Sequence, residues 1–483
     1  MIYWIILFAF ILRIGLGFVS ISLLPKIGYE SKTQKAGYLF FDAYRRDSQA
    51  WDLAQSTKPL QRAFDSKFSS DQYGGLLWVS AFIYRYLSGG THQPFLIILL
   101  AAFVNTLGVF FVYMTGKNIF PAEDDHTALF AAMIFAFFPE AILLSASQMR
   151  EPFLITLIAM AFYGLTCWQI TAKKSMWLWI LISIMGLLFI SPGFVILTLI
   201  VLTGWIFFTS NYDSQKKKKF PWQIGIAALG LFFIALIVLS ASWDSLVAVK
   251  GSGPLGVIGN WARGTAKWNT YLLGRSSGIV QLLFQSLPSI LAFPFVALYG
   301  ILQPVLPAAI FEPGNLFWKI LGVIRASGWY LLLPLIAFSP FAVYDMVLTN
   351  KRKQFFWLVI IFWGWVLISA LRGGGDQWDN PRYRTILMVW SALLAAVSIR
   401  HLLNNYKKQT RGEITRDHTR WFWRIIVVEL IILLVFGHWY TWRYLGFGVN
   451  IGIRNTIILA ISLSGLYMII DIFYQRFKAS SRL

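Results

Sequence analysis

Cysteine is almost missing from this chain: one, Cys167, in 483 residues, so no internal disulfide can form. Charge is scarce as well. Only 13% of the residues are charged and 57% are hydrophobic, against about 25% and roughly 45–50% in soluble domains, which excludes an ordinary water-soluble globule. Acids are the rarer sign, 21 Asp and Glu against 42 Lys and Arg, for a net charge of +21. A balance this basic suits nucleic acid or a membrane surface. The basic residues cluster in short loops between apolar runs, as cytoplasmic loops facing anionic lipid do, so no nucleic-acid partner is expected. Familiar motifs are missing too: there is no HExxH, no CxxC, no Ser-His-Asp pattern, no internal repeat and no low-complexity tract. The run from Gly251 to Gly256 matches GxGxxG by letter only, because it follows no strand and contains Pro254.

What the chain has in abundance is apolar runs of about 20 residues, enough to cross ~30 Å of hydrocarbon. They fall near 2–24, 94–116, 127–147, 153–171, 176–191, 195–210, 220–242, 321–347, 355–371, 385–399, 425–441 and 451–473. This predicts an all-α polytopic membrane protein of about 12–14 transmembrane helices, a single domain over 1–483. The stretch from Ile2 to Leu24 reads as a retained first span, since it lacks a basic start, carries Arg13 in its middle and shows no small-residue cleavage site. Segment 277–310 is apolar but broken by Pro288, Pro294, Pro304 and Pro307, as a kinked hairpin or a re-entrant element would be.

A cytoplasmic N-terminus places every strong basic cluster inside: Lys173 and Lys174, Lys216 to Lys219, Lys351 to Lys353, Arg400 to Arg424, and Arg476 with Lys478. The expected location is the plasma (inner) membrane, multi-pass, with both termini cytoplasmic. Four segments are then outside: the long loop 25–93 with amphipathic helices, the corner from Gln148 to Pro152, the loop 244–276 and the loop 372–384.

Chemistry-bearing residues gather in these outer segments. The first holds Asp42-Ala43-Tyr44-Arg45-Arg46-Asp47-Ser48-Gln49-Ala50-Trp51-Asp52, with helical character from Asp47 onward. Asp47 is there either a general base or a plain N-cap, with Asp42 and Asp52 as solvated partners of Arg45 and Arg46. The second corner carries Glu140 and then Gln148-Met149-Arg150-Glu151-Pro152. Ionisable groups at membrane depth mark a site, a pathway or a paired charge. Arg150 and Glu151 fit an ion pair, or Glu151 is a helix-start acid ahead of Pro152. The last segment runs from Arg372 through Gly373-Gly374-Gly375 and Asp379-Asn380-Pro381 to Arg382-Tyr383-Arg384. Guanidinium forks at an interface suit a phosphate headgroup; the alternative is snorkelling anchors. Glu123-Asp124-Asp125-His126 falls on the cytoplasmic side and reads as a solvated helix cap, and His92, His401, His418 and His438 are scattered along the sequence.

Taken together, these pieces resemble the GT-C class of integral membrane glycosyltransferases, which use lipid-phosphate-linked sugars as donors and include bacterial mannosyl- and aminoarabinose-transferases. The resemblance is carried by the run from Asp47 to Ala54, by Asp71-Gln72-Tyr73-Gly74-Gly75-Leu76-Leu77, by Gln148 to Pro152 and by Asp379 to Arg384, in that order and on one side. It implies a catalytic base at Asp47, with Asp42 as the alternative, and a role for Glu151 in positioning acceptor or metal. Donor phosphate would be held by Arg382, Arg384, Arg372 and Tyr383, with Arg150, Glu140, Asp71 and Asp379 around the acceptor or behind the site. No cofactor is demanded, though a divalent cation bridging Asp47 and Glu151 is compatible. The implied reaction is hexosyl or pentosyl transfer from a polyprenyl-phosphate sugar, with membrane lipid as partner. No large soluble C-terminal domain follows the last apolar run, which favours a simple acceptor or a glycolipid over a protein. Two other classes stay open: a transporter or lipid flippase, for which Arg13, Glu140 and Arg325 are the mid-span charges, and a catalytically silent scaffold subunit that keeps the fold.

Overall fold

A computed structural model describes residues 1–65, 73–120, 125–210, 289–346, 349–373, 376–410 and 418–480. Among them the chain forms helices and no strand. Eight helices are long and apolar enough to cross a membrane, or up to ten crossings if each of two bent pairs is one span. Helices form here because a backbone in hydrocarbon must satisfy its own N–H and C=O groups within the segment. Four expected runs appear extended by two or three residues, α1 as Ile2–Ile27, α5 as Pro94–Ile119, α8 as Glu151–Thr171 and α10 as Pro192–Ser210, while α9, Trp177–Ile190, is one residue shorter at each end. Of these, α9 is apolar but short, at 14 residues. The expected span 220–242 and loop 244–276 lie outside the described residues. Within 277–310, the described part forms α11, Ser289–Leu302 with Pro294 inside it, and α12, Leu306–Phe311.

Between α1 and α5 run α2 (Lys32–Lys35), α3 (Phe41–Gln55), a 3-10 turn at Leu60–Phe64 and α4 (Gly75–Phe82). They close on a small core of Ala50, Leu53, Leu60, Leu77, Ala81, Tyr84 and Ile97. The Gly74-Gly75 pair is structural. Gly74 turns left-handed at φ +74, and a Cβ on Gly75 would collide with the Phe189 carbonyl.

Prolines set where several helices begin, since a first-turn residue needs no N–H. Pro94 and Pro152 open α5 and α8, and Pro139 opens α7 (Pro139–Ser145) at a 52° bend after α6 (Asp125–Phe137). Arg13 is spent at that bend. It is fully buried, and it donates to Ala136 O at 2.9 Å, Ala9 O at 2.8 Å and Asn105 Oδ1 at 3.0 Å.

The chain divides into two compact units. The first comprises Met1–Ala266, Leu348–Trp365 and Arg382–Ala396; the second comprises Lys267–Val347, Val366–Pro381 and Val397–Leu483. In the first, α5 packs closely on α6, and a Cβ on Gly116 would lie 2.8 Å from both Cα and Cβ of Ala128. Small residues at such contacts let membrane helices approach. Gly116→Ala is therefore expected to cost about 1–3 kcal/mol through overpacking against backbone, read as a lower melting temperature of the detergent-solubilised protein. An unchanged melting temperature would contradict the tight α5–α6 seam.

The second unit holds α13 (Leu316–Tyr344), α17 (Thr419–Leu445), α18 (Gly452–Ser480) and parts of α14 (Thr349–Gly373), α15 (Asp379–Thr385) and α16 (Met388–Thr410). Trp329 Nε1 donates to Ile301 O at 2.8 Å, tying α13 to α11. Arg325 is also engaged, donating to Gln377 O at 3.2 Å with its guanidinium 4.1 Å from the Trp378 ring centroid. Two of the scattered histidines meet here on one acid: His418 Nδ1 lies 2.8 Å from Asp345 Oδ1 and His401 Nε2 3.6 Å from Asp345 Oδ2.

Candidate active site

Helix α3 begins at Phe41, six residues before the expected start, so Asp42 sits in its first turn and Asp47 well inside it. Asp47 is therefore not a helix-start acid. At about 100° per residue, the two carboxylates point roughly 140° apart.

Asp47 takes the buried side, with none of its surface exposed. The hydroxyls of Tyr38 and Tyr84 both donate to it, and His92 Nε2 lies 2.6 Å from its Oδ2. His92 stacks on Trp51 with ring centroids 5.0 Å apart. Burial, and after it the Asp47 charge, pushes both phenols well above their usual range, so they remain protonated donors. An isolated buried carboxylate is costly unless hydrogen-bonded, and these partners supply what burial removes.

Asp42 takes the other side. Arg382, from α15, donates through NH1 to Asp42 Oδ2 at 3.1 Å and through Nε to Glu151 Oε1 at 2.6 Å. The two acids differ in access: the Asp42 side chain is 37% exposed, that of Glu151 1%. Burial alone would raise the Asp42 carboxyl, but Arg382, then Arg46 and Arg45, outweigh it and hold it below the usual carboxylate range. Glu151 opens α8 ahead of Pro152, as its helix-start reading expects, yet its bonded partner is Arg382, 231 residues away. Its second oxygen, Oε2, is buried and accepts no hydrogen bond.

Gln148 Nε2 reaches Tyr84 Oη at 3.4 Å, and its carbonyl accepts from Arg46 NH1 at 2.7 Å. Hydrogen bonds thus run from Arg46 through Gln148 and Tyr84 to Asp47, while Asp42 feels Arg46 through its charge.

The other nominated residues are more dispersed. Arg150 lies over the Tyr73 ring at 5.5 Å, Glu140 is buried in the first turn of α7, and Arg384 is buried. Tyr383 is half-buried, and its carbonyl accepts from Trp365 Nε1 at 2.9 Å. Arg372 and Asp379 belong to the second unit, where the Asp379 N–H donates to Asp376 Oδ1 at 2.9 Å. The expected loop 372–384 is shortened from both ends, since α14 runs to Gly373 and α15 starts at Asp379. Asp71 lies outside the described residues.

Asp47 and Glu151, the two acids compatible with a bridging divalent cation, both have protein partners here. Both Asp47 oxygens already meet Tyr38, Tyr84 and His92, and Glu151 Oε1 meets Arg382. Among the described residues no group of three or more His, Cys, Asp or Glu stands as a metal site. Sequence reasoning gave no role to Tyr38, Tyr84 and His92, and named Gln148 only as part of the corner at 148–152. Tyr38 lies nine residues from Asp47, but Tyr84 and His92 lie 37 and 45 residues away, beyond any local pattern.

No protein-family model and no curated protein matches the sequence. Among solved structures, the chain is similar to an archaeal oligosaccharyltransferase. The archaeal oligosaccharyltransferase AglB from Archaeoglobus fulgidus, in complex with an inhibitory peptide and a dolichol-phosphate, aligns at 14% identity over 96% of this chain and 56% of that one, with a TM-score of 0.43. The Archaeoglobus fulgidus oligosaccharyltransferase in its apo form aligns at 13% identity over 96% and 56%, TM-score 0.47. The same enzyme in complex with Zn and sulfate aligns at 12% identity over 94% and 53%, TM-score 0.47. These neighbours are GT-C class membrane glycosyltransferases. The chain spans little more than half the length of each, and at such distance the likeness assigns no residue.

Proposed function

We propose that this chain is a membrane glycosyltransferase that moves a sugar from a polyprenyl-phosphate donor to an acceptor hydroxyl on the non-cytoplasmic face of the plasma membrane. One contact supports this most: Arg382 fixed by buried Glu151 on one side and leaning on half-exposed Asp42 on the other. An acceptor hydroxyl is too weak an acid to attack by itself, so a base must take its proton as the new bond to the anomeric carbon forms. Asp42 suits that role better than Asp47, because its side chain is 37% exposed whereas Asp47 is fully buried. The bond from anomeric carbon to phosphate oxygen breaks as this happens, and its electron pair leaves with the polyprenyl phosphate. That anion needs a preorganised cation more than a proton. Arg382 supplies it, and Glu151 sets the angle of the guanidinium. Asp47 then acts by position: with Tyr38, Tyr84 and His92 it locks the helix that carries Asp42.

The test is direct. Purified protein in lipid nanodiscs is given radiolabelled polyprenyl-phosphate sugars with membrane lipid as acceptor, and label is followed into product. Transfer that requires Asp42 and Arg382 supports the proposal. Failure to bind any polyprenyl phosphate would sink it.

A further inference from the structure

We infer that Asp42 is a masked base: without donor, Arg382 holds its carboxylate, and the donor phosphate unmasks it by taking its place on the guanidinium. This presupposes the glycosyltransferase function above and adds an obligatory order of events.

Arg382 has two carboxylate partners of unequal standing. Glu151 is 1% exposed and bonded at 2.6 Å; Asp42 is 37% exposed and bonded at 3.1 Å. An anion arriving from solvent meets Asp42 first, and displacing it restores a carboxylate to water, whereas displacing Glu151 would strand a buried charge. Phosphate also competes well for a guanidinium, since its oxygens match the planar fork two at a time. The arriving ligand therefore replaces Asp42 and keeps Glu151 as the anchor.

The exchange changes what Asp42 can do. While held by Arg382, with Arg46 and Arg45 nearby, the carboxylate is a poor proton acceptor. Once released, it loses its closest cation and gains a neighbouring phosphate of like charge, and both changes raise proton affinity. An acceptor hydroxyl then gives its proton to Asp42 Oδ2 as its oxygen bonds the anomeric carbon. The broken carbon–oxygen pair departs on the phosphate held by Arg382. In the donor-free enzyme the same carboxylate is occupied, so acceptor is not activated prematurely. Donor must bind before acceptor is deprotonated.

Carbodiimide modification of carboxyl groups, read by peptide mass spectrometry on the whole protein in nanodiscs, reports the state of Asp42 without any turnover. The probe is a short isoprenyl phosphate that carries no sugar. Its binding should raise Asp42 modification about tenfold, the equivalent of one pKa unit, while the isoprenol lacking phosphate should have no effect. Asp42→Asn should bind the isoprenyl phosphate several-fold more tightly, because the internal competitor is gone. Arg382→Gln should show high Asp42 modification with or without the probe; if that variant does not fold, the Asp42→Asn affinity decides. A probe that binds yet leaves both Asp42 modification and the Asn variant's affinity unchanged overturns the masking and leaves the glycosyltransferase proposal intact. A probe that does not bind removes both.

Discussion

Arg382→Gln is expected to reduce kcat/KM for sugar transfer by roughly 10²–10³-fold or more, the loss seen when one preorganised stabiliser of a developing anion is removed. Asp42 and Glu151 both bond to this side chain, and each is affected differently. Asp42 is over a third exposed and returns to water at little cost. Glu151 is buried, has one oxygen that accepts no hydrogen bond and loses the guanidinium bonded to the other, so a fall in melting temperature should accompany the loss of activity. Arg382→Lys separates the two effects: an ammonium keeps the charge but cannot hold Glu151 and a phosphate through the same fork. Its stability should recover more than its activity. Steady-state kinetics and thermal denaturation of the three proteins check this, and a fully active Gln variant would rule out the phosphate-holding role.

Asp42→Asn and Asp47→Asn are expected to fail for opposite reasons. The first should cut kcat by about 10²–10⁴-fold, the usual worth of a positioned general base, in a protein that melts like the parent. The second changes a buried carboxylate into an amide whose NH2 cannot accept from a tyrosine hydroxyl, leaving at least one buried donor unsatisfied. That costs roughly 1–3 kcal/mol, so Asp47→Asn should lose stability first and activity as a consequence. An Asp47 variant that is as stable as the parent yet inactive would return the base role to Asp47. The same contacts fix the sign of the acid response. Arg382 and its neighbours hold Asp42 below its ordinary value, so its contribution to folding is fully present above about pH 4 and fades only as pH falls through the lower folded value.

Much of this architecture is readable from sequence because hydrocarbon leaves the backbone few options. The apolar runs within the described residues became helices, the prolines at 94 and 152 opened two of them, and Glu151 sits at a helix start as its neighbours suggest. The start of α3 was not readable, and the reason is specific. Its buried stripe is Ala43, Arg46, Asp47, Ala50, Leu53 and Ala54, a helical spacing that disappears if two charged residues are assumed to face water. The site was harder still. Asp42 and Arg382 are 340 residues apart, and His92 lies 45 residues from Asp47. No local pattern encodes contacts of that separation, so Asp42, Glu151 and Arg382 were each named from sequence without any sign that they meet.

Arg13 carries a consequence for how the protein is made. Its acceptor on Ala136 lies 123 residues downstream, so at about 5–20 residues per second the ribosome needs roughly 6–25 s to deliver it after the arginine has emerged. In that interval the first span holds a cation that costs about 2.5–3.5 kcal/mol at a helix centre on insertion scales. Asn105 arrives earlier and Ala136 completes the set, so resistance of halted nascent chains to alkali extraction should rise in two steps, after residue 105 and again after residue 136.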